Sequence, residues 1–235
     1  MSVAFSMPAD TCSECTLRDE RPFCRAVMTH ELLTRTAWPV HQPRGAMLFG
    51  EGERPRGVFV LCSGRAKLTA TAADGRSLIA RIAEPGEVLG LSAVILGTPY
   101  EMTCEVIDTA EVTFVRRDEL MTILGSTPSA AVEAATQLSS IYDSAQRELR
   151  SLALSRTSAE RLARLLLDWG ERRGERSPEG LRVHVPFTHD ELAQMIGTTR
   201  ETVTRLFSNF RRRKLVIVKG ATVILREDAM REMIA

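Results

Sequence analysis

The chain has 235 residues, 44% of them hydrophobic and 26% charged, with a net charge of only +1. Such a composition belongs to a soluble globular protein with one large or two ordinary cores, and it excludes disordered and collagen-like chains. The N-terminal "MSVAFSMPAD" has neither a basic start nor an apolar run of signal length. No window approaches the roughly 18 apolar residues of a membrane span, so a cytoplasmic protein without membrane partners is expected.

In chain order, residues 1–30 form an arm around "CSECTLRDERPFC", with Cys12, Cys15 and Cys24 in one short polar segment. The chain has five cysteines, the others being Cys62 and Cys104. In a reducing compartment an odd count is not a disulfide framework, which leaves metal binding, redox chemistry or packing. Zinc held by the three arm cysteines and His30 is a chemically adequate set. Cys62 ends the apolar run "VFVLC" and reads as a small core residue. Over 31–126, short β-rich runs ("GVFVLC", "RAKLTATA", "SLIARIA", "AEVTFV") alternate with Gly-containing turns, the pattern of an antiparallel barrel or sandwich.

Residues 127–155 open with Pro128 at a position where a helix can begin and continue without Gly or Pro. Ala131, Ala135, Leu138, Tyr142, Ala145, Leu149 and Leu152 recur at alternating steps of four and three, which describes a two-helix seam and a homodimer. The alternative is a helix that packs only on the barrel.

Residues 156–235 carry 16 Lys/Arg against 11 Asp/Glu, whereas 1–155 carry 15 against 19. The C-terminal part therefore has the sign that suits phosphate. Within it, "FTHDELAQMIGTTRETVTRLFSNFRRRKL" reads as two helices broken at Gly197. The first has a capping box from Thr188 and Glu191, and the second is capped by Thr199. On a helical wheel Val203, Leu206, Phe207 and Phe210 share one face, while Arg200, Glu201, Thr204, Arg205 and Ser208 share the other. Arg is bidentate to guanine and Glu accepts from cytosine, so the polar face has the chemistry of a base reader. His189 starts the first helix, where it caps or contacts phosphate. "RRRK" and the hairpin-like "LVIVKGATVILRE", with Lys219 near its tip, add basic contacts to the backbone. These elements predict an α+β fold: an N-terminal antiparallel barrel or sandwich, a long helix suited to dimerisation, and a C-terminal winged helix-turn-helix suited to double-stranded DNA.

With these motifs the chain resembles the CRP/FNR family of bacterial transcription regulators. "GVFVLCSGRAKLTATAADGRSLIARIAEPGEVLGLSAVI" looks like the family's β-roll and "GTTRETVTRLF" like its recognition-helix signature. The resemblance implies a homodimer that binds a two-fold symmetric operator, contacts RNA polymerase and senses a signal through its N-terminal domain. Arg200, Glu201 and Arg205 match the positions through which CRP-like members read a TGTGA-type half-site.

Cyclic AMP binders of the family use a Gly-Glu-Leu segment and an Arg-Ser pair. Here Gly90, Leu91 and Ser92 stand at the first place, with Tyr100 and Glu101 at the second. The ribose acceptor is missing and a carboxylate replaces the phosphate's cation, which argues against cyclic AMP in the usual mode.

The oxygen-sensing branch holds a [4Fe–4S] cluster on three arm cysteines and one from the roll. Cys12, Cys15 and Cys24 resemble the arm, with a longer gap before Cys24, and the fourth cysteine aligns with Thr113. A tight hairpin in "EVIDTAEV", turning at Asp108 and Thr109, would pair Ile107 with Ala110 and set Cys104 across from Thr113. Cross-strand partners lie about 5 Å apart on one face, so Cys104 is the expected fourth ligand. Zinc, a thiol switch, an unknown small ligand or no cofactor are the rivals. A redox or electron-transfer protein built on the arm is the alternative to a regulator. An enzyme is not expected, since no phosphate loop, Gly-x-Ser-x-Gly or HExxH motif is present.

Overall fold

The computed structural model describes Cys12, Cys15, residues 17–27, Ala37, residues 39–154 and residues 157–234; for Glu148 and residues 151–154 it describes the backbone only. The chain divides into two compact units. One comprises Met1–Arg76 with Ala80–Asp143, and the other Ser144–Ala235 with the short piece Ser77–Ile79.

The first unit runs α1 (Pro22–Val27), β1 (Pro39–Gln42), β2 (Met47–Phe49), β3 (Gly57–Ser63), β4 (Ala66–Thr71), β5 (Ser77–Ala83), β6 (Val88–Leu89), α2 (Leu91–Leu96), β7 (Thr103–Val106), β8 (Ala110–Arg116) and α3 (Arg117–Ser126). The long helix α4 follows, from Pro128 to Leu154. Its 27 residues carry the chain across the boundary between the units.

The strands form two four-stranded sheets, ordered β1-β8-β3-β6 and β2-β7-β4-β5. Side chains alternate across a strand, and both faces of β3 are used. Phe59 and Leu61 turn into the roll with Phe49, Leu68, Leu89, Tyr100, Cys104 and Val112. Val58 and Val60 turn outward and meet Phe23, Cys24 and Val27 of α1, Leu120 and Ile123 of α3, and Ala130 and Ala134 of α4. A sheet covered on both faces reads as a continuous apolar run, which is the physical origin of "GVFVLC".

The interior of the roll is filled by its own aromatics. Tyr100 stacks on Phe49 with ring centroids 4.0 Å apart and donates its hydroxyl to Gly57 O at 2.6 Å. Gly90 passes so close beneath the ring that a Cβ there would lie 2.6 Å from a ring carbon, at a φ of +79°. Glycine alone suits both conditions.

The expected hairpin at Asp108 and Thr109 is not what forms. β7 and β8 belong to different sheets: Cys104 pairs with Phe49 and Leu68, and Thr113 with Pro39 and Val60. The cause is a competing attachment. Ile107 N and Asp108 N both donate to Arg65 O, at 2.9 and 3.5 Å, and the Asp108 carboxylate pairs with Arg65 at 2.5 Å. The segment is drawn onto the β3–β4 turn and crosses from one sheet to the other.

Along α4, Ala131, Ala135, Tyr142, Ala145 and Leu149 are exposed, while Leu138 is half-buried against the outer cluster. Tyr142 and Leu149 expose 64% and 59% of their surface. The Leu152 side chain lies outside those described.

The second unit holds α5 (Ser158–Arg173), β9 (Glu175–Ser177), β10 (Gly180–His184), α6 (His189–Ile196), α7 (Arg200–Arg212), β11 (Val216–Lys219), β12 (Thr222–Leu225) and α8 (Glu227–Ile234). Its sheet has the order β11-β12-β10-β9. Leu162 and Leu166 of α5, Leu192 and Ile196 of α6, Val203 and Phe210 of α7, and Leu225 of β12 are all nearly or wholly buried.

Replacing Tyr100 by Phe removes a buried hydrogen bond while keeping the stacked ring. The variant is expected to lose about 1–2 kcal/mol, read as a lower urea midpoint with an unchanged slope.

Candidate nucleic-acid interface and thiol cluster

The two helices of the motif are set by their caps. Thr188 Oγ1 accepts from Glu191 N at 3.2 Å and Thr188 N donates to the Glu191 carboxylate at 2.9 Å, so α6 begins where the capping box placed it. Gly197 closes α6 at a φ of +61° and its N–H returns to Ala193 O. Two residues later Thr199 caps α7 by accepting from Thr202 N.

Val203, Phe207 and Phe210 are buried, with Leu206 at their edge, whereas Arg200, Glu201, Thr204, Arg205 and Ser208 are exposed. The polar face is thus presented to solvent along its length. Backbone amides at the helix start, the Thr199 hydroxyl, and the guanidiniums of Arg200 and Arg205 hold the Glu201 carboxyl below the usual carboxylate range. Glu201 is an acceptor at neutral pH, beside two donors suited to guanine.

Thr202, which spacing alone did not single out, ties this face together. Its hydroxyl lies 3.1 Å from Thr199 Oγ1 and accepts from Arg205 Nη2 at 3.3 Å. Its place three residues after the cap and three before Arg205 was the available signal. His189 does not cap, since Thr188 holds that role. Its ring stacks on Phe207, with centroids 5.2 Å apart and planes 3° from parallel, and its Nδ1 meets Thr204 Oγ1 at 2.9 Å. Thr204 donates its own hydrogen to Arg200 O at 3.0 Å. It therefore accepts from His189 Nδ1–H, and the imidazole fastens the first helix to the second. Lys219 ends β11 beside the turn at Gly220 and pairs with Glu179 at 3.0 Å. Arg211, Arg212, Arg213 and Lys214 are exposed at the end of α7.

The arm cysteines gather on the outer face of the β1-β8-β3-β6 sheet, and the roll cysteine that joins them is Cys62. The β3–β8 register shifts between Leu61 and Ser63, with Cys62 between them. Cys62 Sγ and Cys12 Sγ each lie 3.4 Å from Thr113 Oγ1, so the two sulfurs are at most twice that distance apart. Cys24, on α1, is in the same outer cluster as Cys12 and senses the charge of Cys62, Cys12 and Cys15. Cys104 instead faces the roll interior, fully buried, and its electrostatic neighbours are Arg81, Glu105 and Glu87. The expectation that Cys104 completes the set is corrected by the sheet assignment of β7. His30 lies outside the described residues.

Burial pushes the Cys24 thiol up to about 12 and the Cys62 thiol up to about 11, and raises Cys12 as well; the Thr113 hydroxyl lowers Cys12 and Cys62, and Arg21 lowers Cys24 and Cys62. Uncharged thiols of this kind are poor nucleophiles, and a thiolate here requires a compensating positive charge. Among the described residues, no group of three or more His, Cys, Asp or Glu side chains stands close enough to hold a single metal ion.

A filled β-roll followed by a long helix and a winged helix-turn-helix with an exposed Arg-Glu-Arg face defines a two-part DNA-binding regulator. Residues 39–127 match the cyclic nucleotide-binding domain and residues 160–233 the Crp-like helix-turn-helix domain. The transcriptional activatory protein AadR of Rhodopseudomonas palustris is 30% identical over 195 residues, covering 80% of this chain and 77% of that one. A CRP-like cAMP-activated global transcriptional regulator of Mycobacterium tuberculosis is 27% identical over 196 residues, covering 83% and 87%. FixK2 from Bradyrhizobium japonicum shares the fold, with a TM-score of 0.71 at 23% identity over 85% of this chain and 98% of that one. The chain belongs to the CRP/FNR family of transcription regulators.

Replacing Arg205 by Ala removes the guanidinium from which Thr202 accepts and leaves Glu201 only that of Arg200. Binding is expected to weaken by about 1–3 kcal/mol at one base pair and to lose its preference there. Selection of duplexes from a random library by both proteins checks this, since the variant should no longer enrich guanine at one position of each half-site.

Proposed function

We propose that the protein is a homodimeric regulator of a palindromic TGTGA-like operator, not controlled by cyclic AMP, that senses oxygen, nitric oxide or redox state through an iron–sulfur cluster on Cys12, Cys15, Cys24 and Cys62. It works in the cytoplasm, where it meets RNA polymerase. The observation that carries the reading is the outer cluster, in which the cysteine-bearing arm and the N-terminal half of α4 share one core.

Cys12 and Cys24 lie on that face, and Cys62 adjoins them through the Thr113 hydroxyl. In a four-iron cube each thiolate binds its own iron, so the sulfurs need not meet at one point, and the group's positive charge would stabilise thiolates that burial alone disfavours. Bound there, the group would supply a centre whose integrity responds to oxidants. The chain's own residues do the rest. Cys12 and Cys24 bring the arm to the sheet, Cys12 and Cys62 share the Thr113 hydroxyl, and Phe23 and Val27 lie in one cluster with Val60, Ala130 and Ala134. Any change that loosens the arm uncovers apolar surface on α4.

The adjoining stripe of α4, with Ala135, Tyr142, Ala145 and Leu149 exposed at heptad spacing and Leu138 at its border, suits a second copy of the chain. Leu152 continues the spacing. The same helix would thus be read by the arm on one side and by the partner on the other.

The case against cyclic AMP rests on the interior of the roll. Ser92 follows Gly90 and Leu91 without a ribose-binding carboxylate, and Tyr100 fills the space under Gly90.

Protein purified without oxygen is expected to be brown, with iron and sulfide in equal amounts, and to bleach in air. The colour should be absent from Cys62→Ala and present in Cys104→Ala. A brown Cys62→Ala together with a colourless Cys104→Ala would reverse the ligand assignment. Colourless protein whose metal is zinc would exclude the cluster.

A further inference from the structure

Thr204 lies one helical turn after Arg200 and one before Ser208, on the exposed polar face of α7. A hydroxyl has one hydrogen and two lone pairs. The Thr204 hydrogen goes to Arg200 O, at 3.0 Å, one turn back along its own helix. One lone pair takes the Nδ1–H of His189, at 2.9 Å, from the start of α6. The imidazole is itself held, stacked on the buried Phe207 with planes 3° from parallel. A helical threonine divides between two rotamers because its hydroxyl can bond the preceding turn. Here a bond from a different helix adds to that one and selects between them. Ser208 turns its hydroxyl back in the same way, to Thr204 O at 3.0 Å. Of the exposed residues of this face, Arg200, Glu201, Thr204, Arg205 and Ser208, Thr204 alone carries a methyl group.

We infer that Thr204 reads the 5-methyl group of a thymine through its own γ-methyl, with His189 as the positioning residue that takes its hydroxyl out of play. The inference deepens the reading of α7 as a base-reading helix and rests on it. Arg200 and Arg205 offer hydrogens suited to guanine, and Glu201 accepts from cytosine, but none of the three recognises a methyl group. In the major groove the C5-methyl is what sets thymine apart from the other bases, and a threonine methyl is one of the groups that pack against it. A free hydroxyl beside that methyl would also offer a donor and two acceptor positions, and would accommodate several bases. With its hydrogen and one lone pair engaged, the Thr204 hydroxyl cannot donate to a base without breaking a bond within the protein. The methyl contact breaks none.

The test uses full-length protein, in whichever state, anaerobic or aerated, it binds more tightly, and the duplex that this protein enriches most from a random library. Each thymine of a half-site is replaced in turn by deoxyuridine, which lacks only the 5-methyl group. Kd is then measured for the wild type, Thr204→Ser, Thr204→Val and His189→Phe. The wild type is expected to lose about fourfold in affinity at one thymine, the worth of one buried methyl group. Thr204→Ser keeps the hydroxyl alone and should bind the thymine and deoxyuridine duplexes alike at that position. Thr204→Val keeps the methyl without the hydroxyl and should still prefer thymine. His189→Phe keeps a ring on Phe207 but not the donor, and should show a smaller preference than the wild type. Each preference is a ratio taken on one preparation, so a variant that folds poorly weakens both duplexes and leaves the ratio in place. Indifference of the wild type to deoxyuridine at every position, an enriched half-site without thymine, a preference kept in Ser or a preference lost in Val overturns the inference. An undiminished preference in His189→Phe overturns the part given to His189. A library from which the wild type enriches no sequence removes the base-reading helix itself, and this inference with it.

Discussion

The structure depends on covering one sheet twice. The β1-β8-β3-β6 sheet is apolar on both faces, and while its inner face is sealed by the opposite sheet, its outer face has Val58, Val60 and Val115 to hide from water. Each such side chain is worth roughly 1.5–3 kcal/mol when fully buried. α1, α3 and the start of α4 supply the cover. Because α1 carries Cys24 and the chain before it carries Cys12, the cover is also where the chain places its sulfur chemistry. In the proposed function, sensing and dimerisation would draw on neighbouring stripes of one helix, and the packing that stabilises the first unit would be the packing that a signal disturbs.

The DNA-reading end follows a different rule, because its geometry is local. Caps at Thr188 and Thr199 and the left-handed turn at Gly197 fix both helices within about 25 residues, and the buried Leu192, Val203 and Phe207 lock the pair. His189 and Thr202 then use side-chain hydrogen bonds to hold the exposed face in one arrangement. A pre-set Arg205 loses less freedom on meeting a base than a free one would, which favours affinity.

This difference explains what could be read from the residues alone. The helix-turn-helix, the capping box, the exposed polar wheel and the start of α4 at Pro128 all rest on spacings of three and four, and they stand in the structure as expected. The strand runs at 57–62 and 110–115 were also legible from their β-branched residues. The partner of each strand was not, because a short apolar run does not say which sheet it joins. The segment 104–113 looked like a hairpin, yet Arg65, some forty positions earlier, captures its turn and sends the two halves into different sheets. Cys104 was misplaced for that reason. Cys62, read as a small core residue, is half-buried instead and lies outside both core clusters, beside the Thr113 hydroxyl at a shift in the β3–β8 register that the apolar run could not reveal. Thr113, known only as the position where a family ligand is absent, proved to be the hydroxyl between two sulfurs.

The proposed function stands or falls on whether the state of the arm, which shares a core with the start of α4, sets the affinity for DNA. One anaerobic preparation, titrated into a duplex bearing a TGTGA-type palindrome and followed by fluorescence anisotropy before and after oxygen is admitted, tests it most directly. The account predicts that Kd changes by about tenfold or more as the brown colour is lost, in the range of ordinary allosteric coupling. An unchanged Kd across complete bleaching would contradict it.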